Sequence, residues 1–202
     1  AGLSFGGYSP AINSGATNLW DGTSWAAGNT MTSGRSLLCG FGTQTSSIAA
    51  AGAIGPAPVP SNLVTNVEEF DGTSWTEVTD INTKRKYLKG AGTTTSGIIG
   101  PGATIPGATV VANVEQYNGS AWTEVADVNT ARSAYGMNKD GANTSAVIFC
   151  GNKPATASTI TESWNGTSWT EVADATSGTQ ECSGAGTGAF ALLCMGSGSD
   201  PA

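Results

Sequence analysis

One stretch of sequence recurs along the chain, and its spacing constrains the fold more than any other feature. Closely similar copies occupy 67–85, 114–132 and 161–179, and a weaker copy occupies 17–35. The tryptophan that these copies share is found at Trp25, Trp75, Trp122 and Trp169, at separations of 50, 47 and 47 residues. A repeat of this length is typical of a propeller or a solenoid, in which each unit is one supersecondary element.

The composition indicates that the repeated unit is made of strands. Charged residues are only 11% of the 202 residues and glycines number 29, which favours many short strands and tight turns over helices. No segment has the periodicity of a long amphipathic helix. No apolar run is long enough to cross a bilayer, so we expect no membrane insertion. The chain begins at Ala1 without a methionine, which we interpret as a processed form, a fragment or an engineered chain.

Each unit is predicted to contain four strands, which we call a, b, c and d. In the copy that opens at Arg132 they are 132–138, 145–150, 159–164 and 168–173. Along the chain the order is b-c-d, then three complete sets, then a-b. One strand b is in excess of the complete sets. It either replaces the N-terminal strand b, adds a further strand to the closing blade, or indicates that the chain was cut from a longer array.

This order predicts an all-β propeller of about four four-stranded blades, in which N- and C-terminal strands close one blade and remove free sheet edges. We expect a single domain over 1–202. Its repeats are 1–34 together with 179–202, 35–81, 82–128 and 129–178.

The connection between strands c and d carries the strongest local signal. An Asp or Asn precedes a glycine at the same place in every copy, and these glycines are Gly22, Gly72, Gly119 and Gly166. Such pairs favour a tight hairpin turn, because Gly carries no Cβ and Asp or Asn tolerates the left-handed region. An aromatic residue precedes each turn and a tryptophan follows it, so we expect the tryptophans to pack between blades instead of stacking on sugars. Turn chemistry also explains the Asp and Asn residues better than calcium binding does.

The acidic balance and the residue inventory exclude several classes of function. The net charge is −7, and Lys and Arg number eight in total, so a nucleic-acid partner is not expected. Histidine is absent, which removes serine–histidine and cysteine–histidine catalysis and most catalytic zinc sites. Paired carboxylates can serve a glycosidase, but here the glutamates recur with the repeat, which indicates a structural role. We therefore predict no enzymatic activity, no cofactor and no metal site.

The cysteines show no CxxC spacing, which excludes a zinc knuckle. They are Cys39, Cys150, Cys182 and Cys194, and all lie in apolar strand-like runs, where free buried thiols are expected. A single bridge between Cys182 and Cys194 across one hairpin remains an alternative.

The repeated features resemble kelch-type β-propeller repeats. The resemblance rests on the Arg that opens strand a, the apolar strand b ending in Gly, the aromatic that ends strand c and the Trp that opens strand d. The double glycine of that pattern survives fully only at Gly6-Gly7, and four units are fewer than is usual in the family.

The sequence motif Asn/Asp-Gly-Thr-Ser-Trp-Thr-Glu-Val also resembles repeats of virion structural and tail-fibre proteins of marine tailed bacteriophages. That resemblance implies a virion or extracellular location and an adhesive role.

Two sets of residues are candidates for binding. Arg35, Arg85 and Arg132 are expected either to line the central channel and hold acidic sugars or carboxylates, or to pair with glutamates of their own blade. The b–c loops differ in length and composition and are predicted to share one face with the d–a loops, where binding is normally found. Candidate residues on these loops are Tyr8, Val59, Asn62, Ile105 and Asn152. The alternative is that these loops are plain connectors.

These expectations together predict a non-enzymatic virion structural or fibre-type adhesion module. Its variable loops would bind a host-surface glycan or another virion protein. The alternative function is a secreted, lectin-like carbohydrate-binding propeller. A third class, a glycan-active enzyme, requires a unique acidic cluster that the sequence does not show. The sequence leaves homo-oligomerisation open.

Overall fold

The computed structural model describes residues 1–8, 13–55, 62–138, 143–154, 156–187 and 190–194, the last range by its backbone alone. Strands, short bridges and turns make up the regular structure of these residues. No helix in these ranges is long and apolar enough to span a membrane.

The strands follow one another in five sets. The first set is β1 (Gly2–Phe5), β2 (Thr17–Trp20) and β3 (Trp25–Gly28). The second is β4 (Cys39–Thr43), β5 (Ser46–Ala50), β6 (Ala53–Ile54), β7 (Asn62–Leu63), β8 (Val67–Phe70) and β9 (Trp75–Val78). The third is β10 (Gly90–Thr93), β11 (Ser96–Ile99), β12 (Gly102–Thr104), β13 (Thr109–Val111), β14 (Val114–Tyr117) and β15 (Trp122–Val125). The fourth is β16 (Gly136–Met137), β17 (Ala146–Phe149), β18 (Thr161–Trp164) and β19 (Trp169–Val172). The last is β20 (Ser183–Thr187) and β21 (Phe190–Cys194).

Each set contains one main antiparallel sheet, and we number these main sheets 1 to 5 in chain order. Sheets 2, 3 and 4 have four strands each, in the orders β4-β5-β8-β9, β10-β11-β14-β15 and β16-β17-β18-β19. This confirms the four-stranded unit predicted from the repeat. Sheet 1 contains the equivalents of strands b, c and d, and sheet 5 contains those of a and b. The pairs β6-β7 and β12-β13 are small hairpins inserted between strands b and c.

The hydrophobic core lies between the sheets. Three clusters of buried side chains fill the boundaries between sheets 1 and 2, 2 and 3, and 3 and 4. The second strand of each complete sheet is apolar along its length, and Ile48, Ile98 and Ile148 in these strands are fully buried. A strand covered by other sheets on both faces is expected to have such a continuous apolar run instead of an alternating pattern.

The strand-d tryptophans pack against the preceding sheet, as predicted. Trp75 meets Phe5 with ring centroids 4.8 Å apart, and its Nε1 donates to Thr17 Oγ1 at 2.9 Å. Trp122 meets Phe41 in the same way, and both tryptophans, like Trp169, are 6% exposed. Trp25 differs, because it is 56% exposed. It belongs to sheet 1, which no other sheet precedes in the chain.

Glycines in strands a and b allow neighbouring sheets to approach closely. A Cβ on Gly90 would lie 2.6 Å from Phe41 Cδ1, and a Cβ on Gly97 would lie 2.5 Å from Phe41 Cε2. Both distances are shorter than a non-bonded carbon contact, so the Phe41 ring occupies space that any larger residue would need. The first glycine of the Gly-x-Gly-Thr motif in sheet 3, Gly90, is thus a packing requirement between sheets, as is Gly97 of strand b.

The c–d turns confirm the predicted role of glycine and correct that of Asp or Asn. Gly22, Gly72, Gly119 and Gly166 have φ of 111°, 97°, 95° and 96°. The preceding Asp or Asn is not among the residues with positive φ. Its side chain instead accepts backbone hydrogen bonds, and Asp71 Oδ1 receives the N–H groups of Thr73 and Ser74, both at 2.8 Å. Asp or Asn is favoured at this position because its side-chain oxygen accepts backbone N–H groups and so closes the turn.

The structure does not show the predicted joining of the termini in one blade. Among the described residues, β20 pairs with β21 and β1 pairs with β2 only, so the two terminal strands lie in different sheets. The predicted last strand a, near 179–184, also begins later, at Ser183. The sequence order alone could not decide this pairing, because Gly2–Phe5 and Phe190–Cys194 are both strands of type b and either one can pair with β20.

Candidate functional site

The three candidate arginines lie inside the sheets and not on a binding surface. Arg35, Arg85 and Arg132 are fully buried. Each pairs with the glutamate in strand c of its own sheet, and the pairs are Arg35–Glu68 at 2.5 Å, Arg85–Glu115 at 2.7 Å and Arg132–Glu162 at 2.6 Å. This confirms the alternative in which arginine pairs within the blade. The guanidinium groups are not placed to reach a ligand at the surface.

Each glutamate of these pairs also holds the linker that arrives from the preceding sheet. Glu115 Oε2 accepts the backbone N–H of Asn82 at 2.7 Å and its side-chain amide at 2.8 Å. Glu162 makes the same two bonds with Asn129, and Glu68 accepts the N–H and hydroxyl of Thr32, both at 2.7 Å. One carboxylate therefore connects strand a, strand c and the neighbouring sheet.

The hydrogen bonds and the ion pair favour the charged form of Glu68. Burial opposes the charge on Glu68, but the hydrogen bonds from Thr32 and the charge of Arg35 outweigh it, so the pKa of Glu68 lies below its usual value. Burial lowers the pKa of Arg132, and the opposite charge of Glu162 counters that effect. Removing either partner of such a pair leaves an uncompensated charge in the interior, so the pair is stable only as a complete set.

Two residues after each buried arginine, and two residues after Thr179 at the equivalent position of sheet 5, the chain forms what we call the inner rim. It consists of Leu37, Tyr87, Ala134 and Glu181. These four residues occupy equivalent positions in sheets 2 to 5 and have φ of 57°, 58°, 53° and 57°. Residues other than glycine rarely adopt this left-handed conformation, which costs on the order of 1–2 kcal/mol each. Such strain persists only where the surrounding structure imposes it.

Backbone hydrogen bonds impose the rim conformation by linking the sheets in succession. Tyr87 N–H donates to Leu37 O at 3.2 Å, and Ala134 N–H donates to Tyr87 O at 2.9 Å. In the next sheet, Cys182 N–H donates to Ala134 O at 3.2 Å. The rim backbone is therefore fixed, while its side chains differ at every position.

The rim residues line one of two cavities between the first strands of sheets 2 to 5. A cavity of about 190 Å³ is lined by the rim residues and by Leu38, Leu88 and Lys89. A second cavity of about 180 Å³ continues along the first strands and shares Leu38 and Lys89 with the first. Residues from four sheets thus border one common space, as they do around the axis of a propeller.

The b–c loops lie at the same end of the sheets as the rim. Isolated bridges join Ser36 to Ala53, Lys86 to Ala103 and Ser133 to Asn152, so each of these loops is attached directly before a rim residue. The loop in sheet 1 contacts the next one, because Asn13 Nδ2 donates to Gly55 O at 2.9 Å. We call the surface made by the rim and the b–c loops the loop-bearing face. The opposite end, made by the a–b and c–d turns, is the turn face.

The structure places most of the candidate loop residues on this face. Tyr8 is 46% exposed and bridges to Asn13. Asn62 is exposed in β7, while Ile105 and Asn152 are partly buried. Val59 lies outside the described residues. Two of these loops have a regular structure, because β6 pairs with β7 and β12 pairs with β13.

Sequence analysis missed the rim itself. Tyr87 is 37% exposed, and the Lys86 ammonium lies 5.3 Å from the centre of its ring. The one signal in the sequence is that the second residue after each repeat arginine changes from Leu37 to Tyr87 to Ala134 while the arginine itself is kept. A left-handed conformation at such residues has no sequence signature when glycine is not used.

Within the described ranges, no cluster of three or more His, Cys, Asp or Glu side chains could hold a metal ion. The strand-c carboxylates of Glu68, Glu115 and Glu162 are occupied by arginine and linker bonds. The exposed side chains of the loop-bearing face include an aromatic ring and hydroxyl group at Tyr8 and at Tyr87.

Comparison with known proteins gives a fold and no family. No protein family model matches the chain. No curated protein matches it. Among solved structures, one titled "Structure of YjhT" aligns with 98% of this chain and 74% of its own length, at a TM-score of 0.80 and 11% sequence identity. The chain has a β-propeller-like fold. At that identity the likeness concerns the fold alone.

Proposed function

We propose that this chain is a non-enzymatic adhesion module whose loop-bearing face binds a partner on a host surface. The main support for the proposal is the inner rim, where four residues share one backbone conformation but have different side chains. These residues are Leu37, Tyr87, Ala134 and Glu181. A rigid frame that carries varied side chains and loops on one face is how many folds support recognition.

A glycan or a protein surface is the partner that fits this face. Tyr87 and Tyr8 offer exposed aromatic rings with hydroxyl groups, and Lys86 adds an ammonium beside the Tyr87 ring. Aromatic faces with neighbouring hydrogen-bond donors can contact both the apolar face and the hydroxyls of a sugar, and they are also frequent in protein interfaces. An enzymatic role in glycan cleavage is disfavoured, because it requires a free pair of carboxylates.

The location in a virion, as a structural or fibre-type protein, is supported by the resemblance of the repeat sequence to phage virion proteins. The alternative, a secreted lectin-like propeller, has the same binding face and differs in origin. Mass spectrometry of purified virions separates the two, since only the first predicts the chain in the particle.

We also propose that the sheets belong to a closed ring of about four blades. Among the described residues, sheet 1 has no strand a at its inner edge, and a groove of about 600 Å³ lies between Gly2–Phe5 and the first strand of sheet 2. In the same part of the chain, sheet 5 contains a strand a but no strand c or d. If β20 takes the free edge of β1, the two incomplete sheets make one complete blade, and Trp25 is covered as its equivalents are.

The binding proposal is tested on a panel of immobilised glycans and on host cell surfaces. We expect the Tyr87→Ala and Tyr8→Ala variants to bind about tenfold more weakly than the unaltered chain, a loss of about 1.4 kcal/mol. Thr95→Ala, an exposed position in the a–b turn of sheet 3, is the matched control on the turn face. Loss of binding in Thr95→Ala with retention in both tyrosine variants would refute the assignment of the face.

A further inference from the structure

The boundary between sheets 4 and 5 differs from the other boundaries in one chemical respect. At each boundary the end of strand b meets the residue after the rim in the next sheet. Between sheets 1 and 2 a small residue meets a large one, since a Cβ on Gly6 would lie 3.0 Å from Leu38 Cδ2. Between sheets 2 and 3 the equivalent residues, Ala51 and Leu88, are buried in the same cluster.

At the boundary of sheets 4 and 5 these two positions are both cysteines. Cys150 ends strand b of sheet 4 with φ of 58°, close to the 59° of Ala51, and Cys182 follows the rim residue of sheet 5. Both are fully buried and both are free thiols in the structure. The repeat geometry alone therefore places these two side chains opposite each other.

The local hydrogen bonds support this placement independently. Gly151 N–H donates to Thr179 O at 2.8 Å, which fixes the two segments side by side. The Thr179 hydroxyl lies 3.0 Å from Cys182 Sγ, and the Cys150 thiol donates to Ser177 O at 3.8 Å. Both thiols therefore lie against the same short segment, 177–182.

We propose that Cys150 and Cys182 are a disulfide site that ties sheet 5 covalently to sheet 4. Sheet 5 has two strands and is described with no sheet beyond it, so it has fewer neighbours than any complete sheet. A bond across this boundary closes a loop through the whole of strands c and d of sheet 4, which restricts the unfolded chain. Cys39 is a contrasting case, because its cross-strand partner in sheet 2 is Ala50.

The oxidant that the reaction needs is a low-molecular-weight disulfide. The thiolate of one cysteine attacks that reagent, forms a mixed disulfide and releases one small thiolate. The second cysteine thiolate then attacks the protein sulfur of the mixed disulfide and releases the second small thiolate. The two thiol protons end on the two released thiols, so each protein sulfur loses one electron and the reagent is reduced by two.

The bond is expected to form before sheet 5 is fully packed. Burial raises the pKa of the Cys150 thiol, and the nearby Thr179 hydroxyl only partly counters it, so few thiolates exist in the packed state. Exchange is therefore slow in the folded, reduced protein and fast during refolding. The disulfide is therefore expected to be a permanent structural bond that forms during folding, and not a reversible redox switch.

The test is refolding of the full chain in a mixture of oxidised and reduced glutathione. In a variant with Cys39→Ser and Cys194→Ser we expect the mass to fall by about 2 Da, the two hydrogens lost on oxidation. Cleavage after glutamate should then give peptides 125–162 and 182–202 joined by a reducible bond. Reduction should lower the melting temperature by roughly 5–15 °C.

Single variants decide the outcome if the double variant folds poorly. Cys150→Ser and Cys182→Ser should each abolish the link between these two peptides, whereas Cys194→Ser should leave it. A link that survives Cys182→Ser, or a chain in which Cys150 remains a free thiol after refolding, overturns the proposal.

Discussion

At the residue scale, the buried Arg–Glu pairs explain why the repeat retains both charges. Glu115 receives bonds from Arg85 and from Asn82 and thereby holds two sheets together. The equivalent glutamates of sheets 2 and 4 do the same. At the position of Arg35 in sheet 5 the chain has Thr179, and the position of Glu68 in sheet 1 is Asn18. The two charges are thus absent together from the incomplete sheets.

We predict that Glu115→Gln destabilises the protein by about 3–5 kcal/mol, because it leaves the charge of Arg85 buried without its counter-ion. Both side chains are fully buried, so solvent cannot screen the charge that remains. Urea unfolding of the variant and the unaltered chain measures the loss as a difference in the free energy of unfolding.

The matched control is Glu124→Gln. Glu124 is directly opposite Glu115 in the register of strands c and d, but it is exposed. The same substitution there should change stability by less than about 0.5 kcal/mol. Equal effects of the two variants would show that the buried pair does not hold the sheets.

We predict that Ala134→Gly in the inner rim stabilises the protein by about 1 kcal/mol, because glycine adopts the φ of 53° without steric cost. Ala112→Gly, at a residue without positive φ, should instead destabilise it by about 0.5–1 kcal/mol. Thermal or urea unfolding compares the two. A loss of stability in Ala134→Gly equal to that in Ala112→Gly would contradict the assignment of strain to the rim.

At the element scale, the c–d hairpin is the unit that the sequence specifies most completely. Its aromatic pair closes the hairpin in every copy, with centroids 5.0 Å apart in Phe70–Trp75 and 4.8 Å apart in Tyr117–Trp122. The glycine that follows Asp or Asn adopts positive φ in each turn. Local residues alone decide this element, and for that reason it could be predicted.

Acid is predicted to weaken the turn in sheet 2. Backbone hydrogen bonds from Ser74 and Thr73 lower the pKa of Asp71 from its usual 3.8. A group with a depressed pKa in the folded state stabilises it above the unfolded value and loses this contribution as the pH falls through the folded value. The stability advantage of the unaltered chain over Asp71→Asn should therefore shrink as the pH falls below about 3.8.

Asp71→Ala is the companion variant for this turn. Asn118 accepts the equivalent backbone bonds from Ser120 and Ala121 at 3.0 and 2.9 Å, so Asp71→Asn should keep the turn without its acid dependence. Asp71→Ala should lose stability at neutral pH as well. Urea unfolding of the unaltered chain and both variants at pH 7 and pH 3 checks these expectations. A stability difference between the unaltered chain and Asp71→Asn that stays the same across that range would contradict them.

Elements that depend on distant contacts were less predictable. The four strands per unit and the burial of Trp75 and Trp122 follow from the repeat. The rim conformation at Leu37 and Tyr87 does not, because hydrogen bonds between sheets impose it on ordinary residues. The partner of β20 also depends on which of two similar strands lies closer, and the order of residues does not contain that information.

At the scale of the whole molecule, the contribution of Trp25 to stability depends on whether the ring is closed. We predict that Trp25→Ala and Trp122→Ala each destabilise the protein by about 3–5 kcal/mol if the ring is closed as proposed, because both rings are then packed between sheets. Thr123→Ala, an exposed position beside Trp122, is a control with little expected effect. Chemical unfolding measures all three. A cost for Trp25→Ala of less than about 1 kcal/mol would show that sheet 1 ends the array and that the ring is open.

The binding function proposed here requires the variable side chains to stand on a rigid rim. The measurement that tests this most directly is hydrogen exchange, followed by NMR, at the amides of Tyr87, Ala134 and Cys182, which donate the bonds between sheets. We predict protection comparable to that of Ile98 in the buried strand β11, since opening the rim requires separating whole sheets. Exchange at the rate of an unstructured peptide would contradict the account, because the loop-bearing face would then have no fixed frame.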